Sequence, residues 1–170
     1  MRYFLFFISL CVSALAVDRN VPGTYATVQL AMSAAQPGDT VVIAPGTYTE
    51  SVSSVRAGTS GSRITIDGLS APSVTIRSMT LRHPYITVKR ATISGNTTTY
   101  GSQFYLGRGA HFTRIENCVI NGNGALKVYG LNWEGPSTKP FGTDAASDCV
   151  ITGCTIKGVK AYPCVSMMGD

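Results

Sequence analysis

From Asp39 onward the chain is written in short apolar–polar alternations rather than long amphipathic stretches. Runs of four or five residues rich in Val, Ile and Thr recur at Thr40–Ala44, Arg63–Asp67, Ser73–Arg77, Tyr85–Lys89, His111–Ile115 and Asp148–Thr152. Gly, Ser, Asn and Pro punctuate them. Such runs predict strands, because β-branched side chains fit a pleated surface and the punctuating residues favour turns. One stretch departs from the pattern. Within residues 24–36, Val28, Ala31, Met32 and Ala35 share one face at helical spacing, Thr24 or Thr27 can cap it, and Pro37-Gly38 ends it. That predicts a helix. One short helix ahead of many short strands leaves sandwich, barrel and solenoid as architectures.

Internal repetition chooses among them. The segments VKRATISG from Val88, IENCVING from Ile115 and ITGCTIKG from Ile151 share one pattern: apolar, two variable positions, a small residue, one variable, Ile, one variable, Gly. Their starts lie 27 and 36 residues apart, and upstream Ile43, Ile66 and Val88 are separated by 23 and 22. An equal motif at unequal spacing is what a stacked coil with inserted loops produces. The fold class expected is all-β, a right-handed single-stranded parallel β-helix with the 24–36 helix capping its open end. Stacking puts Ala91, Cys118 and Cys154 in one inward column and Ile93, Ile120 and Ile156 in another. It also makes Cys118 and Cys154 stacked core thiols in preference to a disulfide.

The first sixteen residues, MRYFLFFISLCVSALA, carry Arg2, an apolar run from Tyr3 to Val12, and small residues at Ala14 and Ala16. This reads as a signal peptide cleaved after Ala16, leaving a mature chain from 17 to 170 that is secreted or periplasmic. The run is too short to span a bilayer, so no membrane span is expected. Loss of Arg2 takes one cation from a net charge of +5 and leaves +4. Lys and Arg form no dense stripe and no aromatic residues interleave with them, which argues against nucleic acid as a partner. Four cysteines remain after the leader, Cys118, Cys149, Cys154 and Cys164, without zinc-type spacing. Asn96 begins the one glycosylation sequon, meaningful in a eukaryotic source.

Tyr25-Ala-Thr-Val-Gln-Leu-Ala-Met-Ser-Ala-Ala, then Pro37-Gly-Asp-Thr-Val-Val-Ile and Pro45-Gly-Thr-Tyr-Thr-Glu50, resembles the opening of secreted pectin lyase-like β-helix proteins. Gly58-Thr-Ser-Gly-Ser-Arg-Ile-Thr-Ile66 and Arg114-Ile-Glu-Asn-Cys118 are most similar to the chondroitinase B and alginate lyase group, polysaccharide lyase family six. The likeness covers roughly residues 24 to 158. It implies a basic Lys and Arg pair and calcium-binding acids on one outer face, in later turns of longer proteins. No segment here matches those turns residue by residue, so the catalytic residues stay unassigned. Members of the group are much longer, and Cys164–Met168 reads as a strand awaiting a neighbour. The chain is therefore expected to be a truncated product or fragment, incomplete at its C-terminus.

Cleaving an acidic sugar chain by β-elimination needs a base for the proton beside the carboxylate and a cation or metal to neutralise that carboxylate. Alternation from inward Val88, Ile115 and Ile151 places Lys89, Glu116 and Thr152 outward in one column, with Arg114 beside them. Lys89, Arg114 and Glu116 are thus candidate saccharide contacts; the plain alternative is an exposed Lys89–Glu116 ion pair. Asp144 and Asp148 approaching Glu116 would make calcium the one cofactor to consider. The insertion from Asn121 to Ser147 reads as a loop holding Trp133, the only Trp, with Tyr129, Phe141, Lys127 and Lys139. Lys127 and Trp133 are candidates for gripping a sugar acid and stacking on its ring, unless Trp133 closes a small satellite core. Tyr100, Phe104 and Tyr105 in the preceding loop share either role, and Asn117 is read as a turn residue. Three readings follow: a secreted relative of polysaccharide lyases with an acidic polysaccharide as partner, a non-catalytic carbohydrate-binding β-helix, or a structural solenoid fragment.

Overall fold

The computed structural model describes residues 15–71, 73–95, 101–122, 128–134, 146, 148–158 and 165–168, with backbone alone in 101–102, 128–134 and 165–168. Its one helix, α1 (Val28–Ala34), is shorter at both ends than the sequence predicts. Thr27 is extended and its Oγ1 accepts the Leu30 N–H at 3.1 Å, fixing the start. Ala35 is extended again, and the Asp39 carboxylate accepts the Gln36 N–H at 2.8 Å, so the chain leaves the helix before Pro37. Val28, Ala31, Met32 and Ala35 are buried together as their spacing requires.

Fourteen strands account for most of the remaining described residues. The first sheet runs in the order β1 (Asp18–Val21), β2 (Thr40–Ile43), β4 (Ile64–Asp67), β6 (Ile86–Lys89), β9 (Arg114–Glu116), β12 (Val150–Thr152). The second runs β13 (Thr155–Lys157), β10 (Val119–Asn121), β7 (Thr92–Ser94), β5 (Val74–Leu81), β8 (Gly101–Leu106), β11 (Val128–Glu134), β14 (Val165–Met168), and β3 (Gly46–Ser53) pairs with β5. Every pairing is parallel. The second sheet is two ladders joined through β5, which meets β7 at Thr75 and Ile76 and β8 from Met79 to Leu81. The chain passes through the first sheet, then one ladder, then the other, and its next first-sheet strand lies beside the last. The fold is all-β with parallel sheets and one short helix.

Register confirms the inward columns and corrects one of them. Val88 pairs with Ile115, and Ile115 with Ile151. Ile66, however, pairs with Val41 and not with Ile43, which lies opposite Val21. The step there is 25 residues, because the intervening β3 is eight residues long and slips register between Tyr48 and Ser51. Val41, Ile66, Val88 and Ile115 are fully buried, whereas Ile151 on the outermost strand of the sheet is 36% exposed. Ile93, Ile120 and Ile156 share the second column as expected.

Several strand boundaries differ from expectation. The predicted strand His111–Ile115 begins only at Arg114, because Phe112 turns the chain with a φ of 54°. The run Ser73–Arg77 continues to Leu81. Residues 128–134, read as part of a loop, form β11, and Phe104 and Tyr105 lie in β8, with Phe104 wholly buried. Two corners repeat a left-handed residue around β6, β9 and β12: Arg90, Asn117 and Gly153 after the strand, Tyr85, Phe112 and Asp148 at the turn before it. A Cβ at Gly153 would meet Oδ1 of Asn117, so a side chain there would require the Asn117 amide to move. Asn117 is a turn residue, its N–H donating to Thr152 O at 2.9 Å.

Candidate functional site

The outward positions of the first sheet form two columns, Thr65–Thr87–Arg114–Val150 and Asp67–Lys89–Glu116–Thr152. Lys89, Arg114 and Glu116 therefore share one face, as alternation predicts. Their pairing is different. Lys89 Nζ lies 3.2 Å from Asp67 Oδ2, one strand back, and forms no ion pair with Glu116. Arg90 joins the same carboxylate through Nε at 2.9 Å and Nη2 at 2.5 Å, and Leu69 N–H donates to it at 2.9 Å. Asp67 is nearly sealed by these groups. Burial pushes its carboxyl up, but the Arg90 hydrogen bonds, the Leu69 N–H and Lys89 outweigh that and hold it below the usual carboxylate range.

Arg63, just before β4, lies across the same face. Its Nε donates to Thr87 Oγ1 at 2.9 Å and its Nη2 to Ile86 O at 3.1 Å and to Phe112 O. Its Cζ sits 5.8 Å from the Tyr85 ring centroid. Tyr85 in turn stacks on Phe112 with centroids 4.8 Å apart and planes 6° from parallel. That spacing is one strand step, so the left-handed corner itself delivers the stack. The faces of these rings are used on each other and on Arg63, which makes them a brace for the guanidinium. Burial lowers the Arg63 pKa from its ordinary value, and repulsion from Arg114 lowers it further, against weaker support from Glu116. Among the described residues no carboxylate forms an ion pair with Arg63 or Arg114. The face thus presents Arg63, Lys89, Arg90 and Arg114 against two carboxylates, one of which, Asp67, is already engaged twice.

Sequence reasoning missed Arg63, Tyr85, Phe112, Asp67 and Arg90. The repeat intervals carried the signal: Arg63 to Tyr85 spans 22 residues and Tyr85 to Phe112 spans 27, the same steps as Ile66 to Val88 and Val88 to Ile115. Of the remaining candidates, Lys127 lies outside the described residues. Trp133 belongs to β11, where its register partners are Leu106 and Met167, level with buried Leu81. Asn96, Asp144, Cys164 and residues 1–14 of the leader, short of Ala16, also fall outside.

The calcium grouping considered from sequence, Glu116 with Asp144 and Asp148, includes Asp144, which lies outside the described residues. No group of three or more His, Cys, Asp or Glu comes together among them, and Asp67 is filled by side-chain cations. A Ser54 Oγ to His83 Nδ1 contact of 2.8 Å resembles the start of a nucleophilic dyad. Ser54 Oγ also accepts the Arg82 N–H at 2.9 Å, and no carboxylate orients His83 among the described residues, so this is a braced turn. No described helix is long and apolar enough to cross a membrane. No protein-family model matches the chain, and no curated protein matches it.

Proposed function

We propose that the protein is a secreted, right-handed parallel β-helix of the pectin lyase-like kind that binds an acidic polysaccharide along the outer face of its first sheet. One observation carries this reading above the others. Arg63 donates to Thr87, the register partner of Arg114, so the two cations share one part of the face, and neither pairs with a described carboxylate. Arg63, held by Thr87, Ile86 and Phe112, and the exposed Arg114 are unneutralised cations suited to a carboxylate or sulfate, which they would hold by charge-assisted hydrogen bonds. Lys89 and Arg90 extend the cationic row along neighbouring strand positions, which suits a polymer with repeated acids better than a single small anion. The leader-like opening supports export to where such polymers occur.

Binding is a better supported role than cleavage. Binding needs only the cations, whereas a lyase also needs a base, and here Lys89 serves as counter-charge to Asp67 and the Tyr85 ring is stacked on Phe112. The relation to polysaccharide lyases remains part of the proposal through the sequence resemblance. Titration calorimetry of the mature protein with polygalacturonate, alginate and chondroitin sulfate, against neutral dextran, tests it. At least one acidic polymer should bind, dextran should not, and Arg114→Ala should weaken binding about tenfold, the cost of one charge-assisted contact. Equal binding of dextran, or no change on Arg114→Ala, would sink the assignment of this face. New ultraviolet absorbance from an unsaturated uronate would show cleavage and overturn the non-catalytic part of the reading.

A further inference from the structure

Cys118 and Cys154 occupy the same level of neighbouring passages. Val119 pairs with Thr155 in parallel register, and the Thr155 N–H donates to Cys118 O at 2.9 Å. The two cysteines therefore stand one strand step apart, about 4.8 Å, within the roughly 4.4–6.8 Å Cα range that a disulfide spans. Cys154 leans toward its neighbour, its Sγ accepting the Cys118 N–H at 3.4 Å. Both thiols are free. Ala91 fills the same buried column one passage earlier.

The two sulfurs are unequal. Cys118 is buried, while Cys154 is half-buried on the more open passage of β12 and β13. Hydrogen bonding from the Cys118 thiol lowers the Cys154 pKa against the opposing effect of burial, with backbone N–H groups assisting. The same contact, with burial, raises that of Cys118. Cys154 Sγ also donates to Ile115 O at 3.4 Å and to Thr152 O at 3.3 Å, and a half-buried thiol one strand step from a second thiol is the arrangement that redox-reactive pairs use. Cys149 does not compete, because the residue level with it on the neighbouring strand is Thr113 and not a cysteine.

We infer that Cys118 and Cys154 form a dithiol site that small-molecule disulfides oxidise to an intrachain disulfide, Cys154 attacking and Cys118 resolving. The Cys154 thiolate attacks one sulfur of the oxidant RSSR, forms a mixed disulfide and releases RS⁻. The Cys118 sulfur, giving up its proton to solvent, then attacks Cys154 Sγ and expels the second RS⁻. Two protein thiols are oxidised, one RSSR is reduced to two RSH, and β13 becomes covalently tied to β10. The tie would fasten an exposed passage to a buried one.

The full chain, reduced and freed of reductant, is exposed to oxidised glutathione and digested without reduction for mass spectrometry. A peptide pair joined through Cys118 and Cys154, lighter by two hydrogens than the separate peptides, is expected. Cys118→Ala, which repeats the side chain that Ala91 already places in this column, should stop at a glutathione adduct on Cys154 and accumulate it at least about tenfold over wild type. A stable Cys154 adduct in the wild-type chain, or linkage through Cys149 or Cys164 instead, would overturn the inference. The wild-type linkage is diagnostic by itself, so it does not depend on the variant folding.

Discussion

Asp67 sits at an outward strand position and is nevertheless nearly closed off from water, because Lys89 and Arg90 of the next passage fold over it. Its folded-state pKa is lowered, and so is that of Asp39. There burial pushes up but the N–H groups of Gln36 and Val17 and the Arg19 guanidinium pull down further. The sign follows from linkage. A carboxyl with a depressed folded pKa contributes stability that is full above its unfolded value, about 4, and is lost as pH falls through the folded value. Urea unfolding should therefore show a stability drop on going from about pH 6 to below about pH 4. Asp67→Asn should lower stability at neutral pH by about 1–2 kcal/mol and make the acid drop shallower. An unchanged acid dependence in Asp67→Asn would mean that this carboxylate is not the group responsible. Nothing local in the sequence revealed Asp67, since its partners lie 22 and 23 residues away. Lys89 and Glu116 were legible as a column, but which acid Lys89 chooses depends on side-chain reach, which alternation does not encode.

At the level of single elements, legibility followed the kind of physical signal involved. The helix face was readable because Val28, Ala31, Met32 and Ala35 keep a 3.6-residue period and have one core to meet. Its N-terminus was only half readable. Thr27 caps locally, but the Val28 and Gln29 N–H groups donate at 2.8 and 2.9 Å to the carboxylate of Glu50, which arrives from β3. Seven residues are too few to hold a helix by propensity alone, so these acceptors and the buried face must hold it. Thr27→Ala is expected to cost about 1 kcal/mol, seen as a lower denaturation midpoint with unchanged slope. A neutral result would assign the helix start to Glu50 alone. β11 escaped notice for the opposite reason. Val128–Glu134 contains a glycine in mid-strand and sits among Gly-, Ser- and Pro-rich sequence, so its strand character comes from the parallel neighbours β8 and β14.

For the whole molecule, the repeated motif predicted which residues stack, and the registers of Val88 with Ile115 and Ile115 with Ile151 agree with it. Upstream the same arithmetic slipped by two residues, because a period fixes the count of residues per passage only where strand lengths match, and β3 does not match its neighbours. Stacked passages also make stability local. Each strand is supported mainly by the one on either side, so exposure along the stack should translate into a gradient of opening. The buried column Ile66, Val88 and Ile115 marks the centre of that gradient, whereas Val150 and Ile151 in β12 are 47% and 36% exposed. Native-state hydrogen exchange is expected to show the N–H groups of Val88 and Ile115 among the slowest, with Val150, Ile151 and Thr155 exchanging at least about a hundredfold faster, a difference of a few kcal/mol in opening free energy. Cooperative opening of all these strands at one rate would mean that long-range coupling, rather than neighbour support, holds the sheets together.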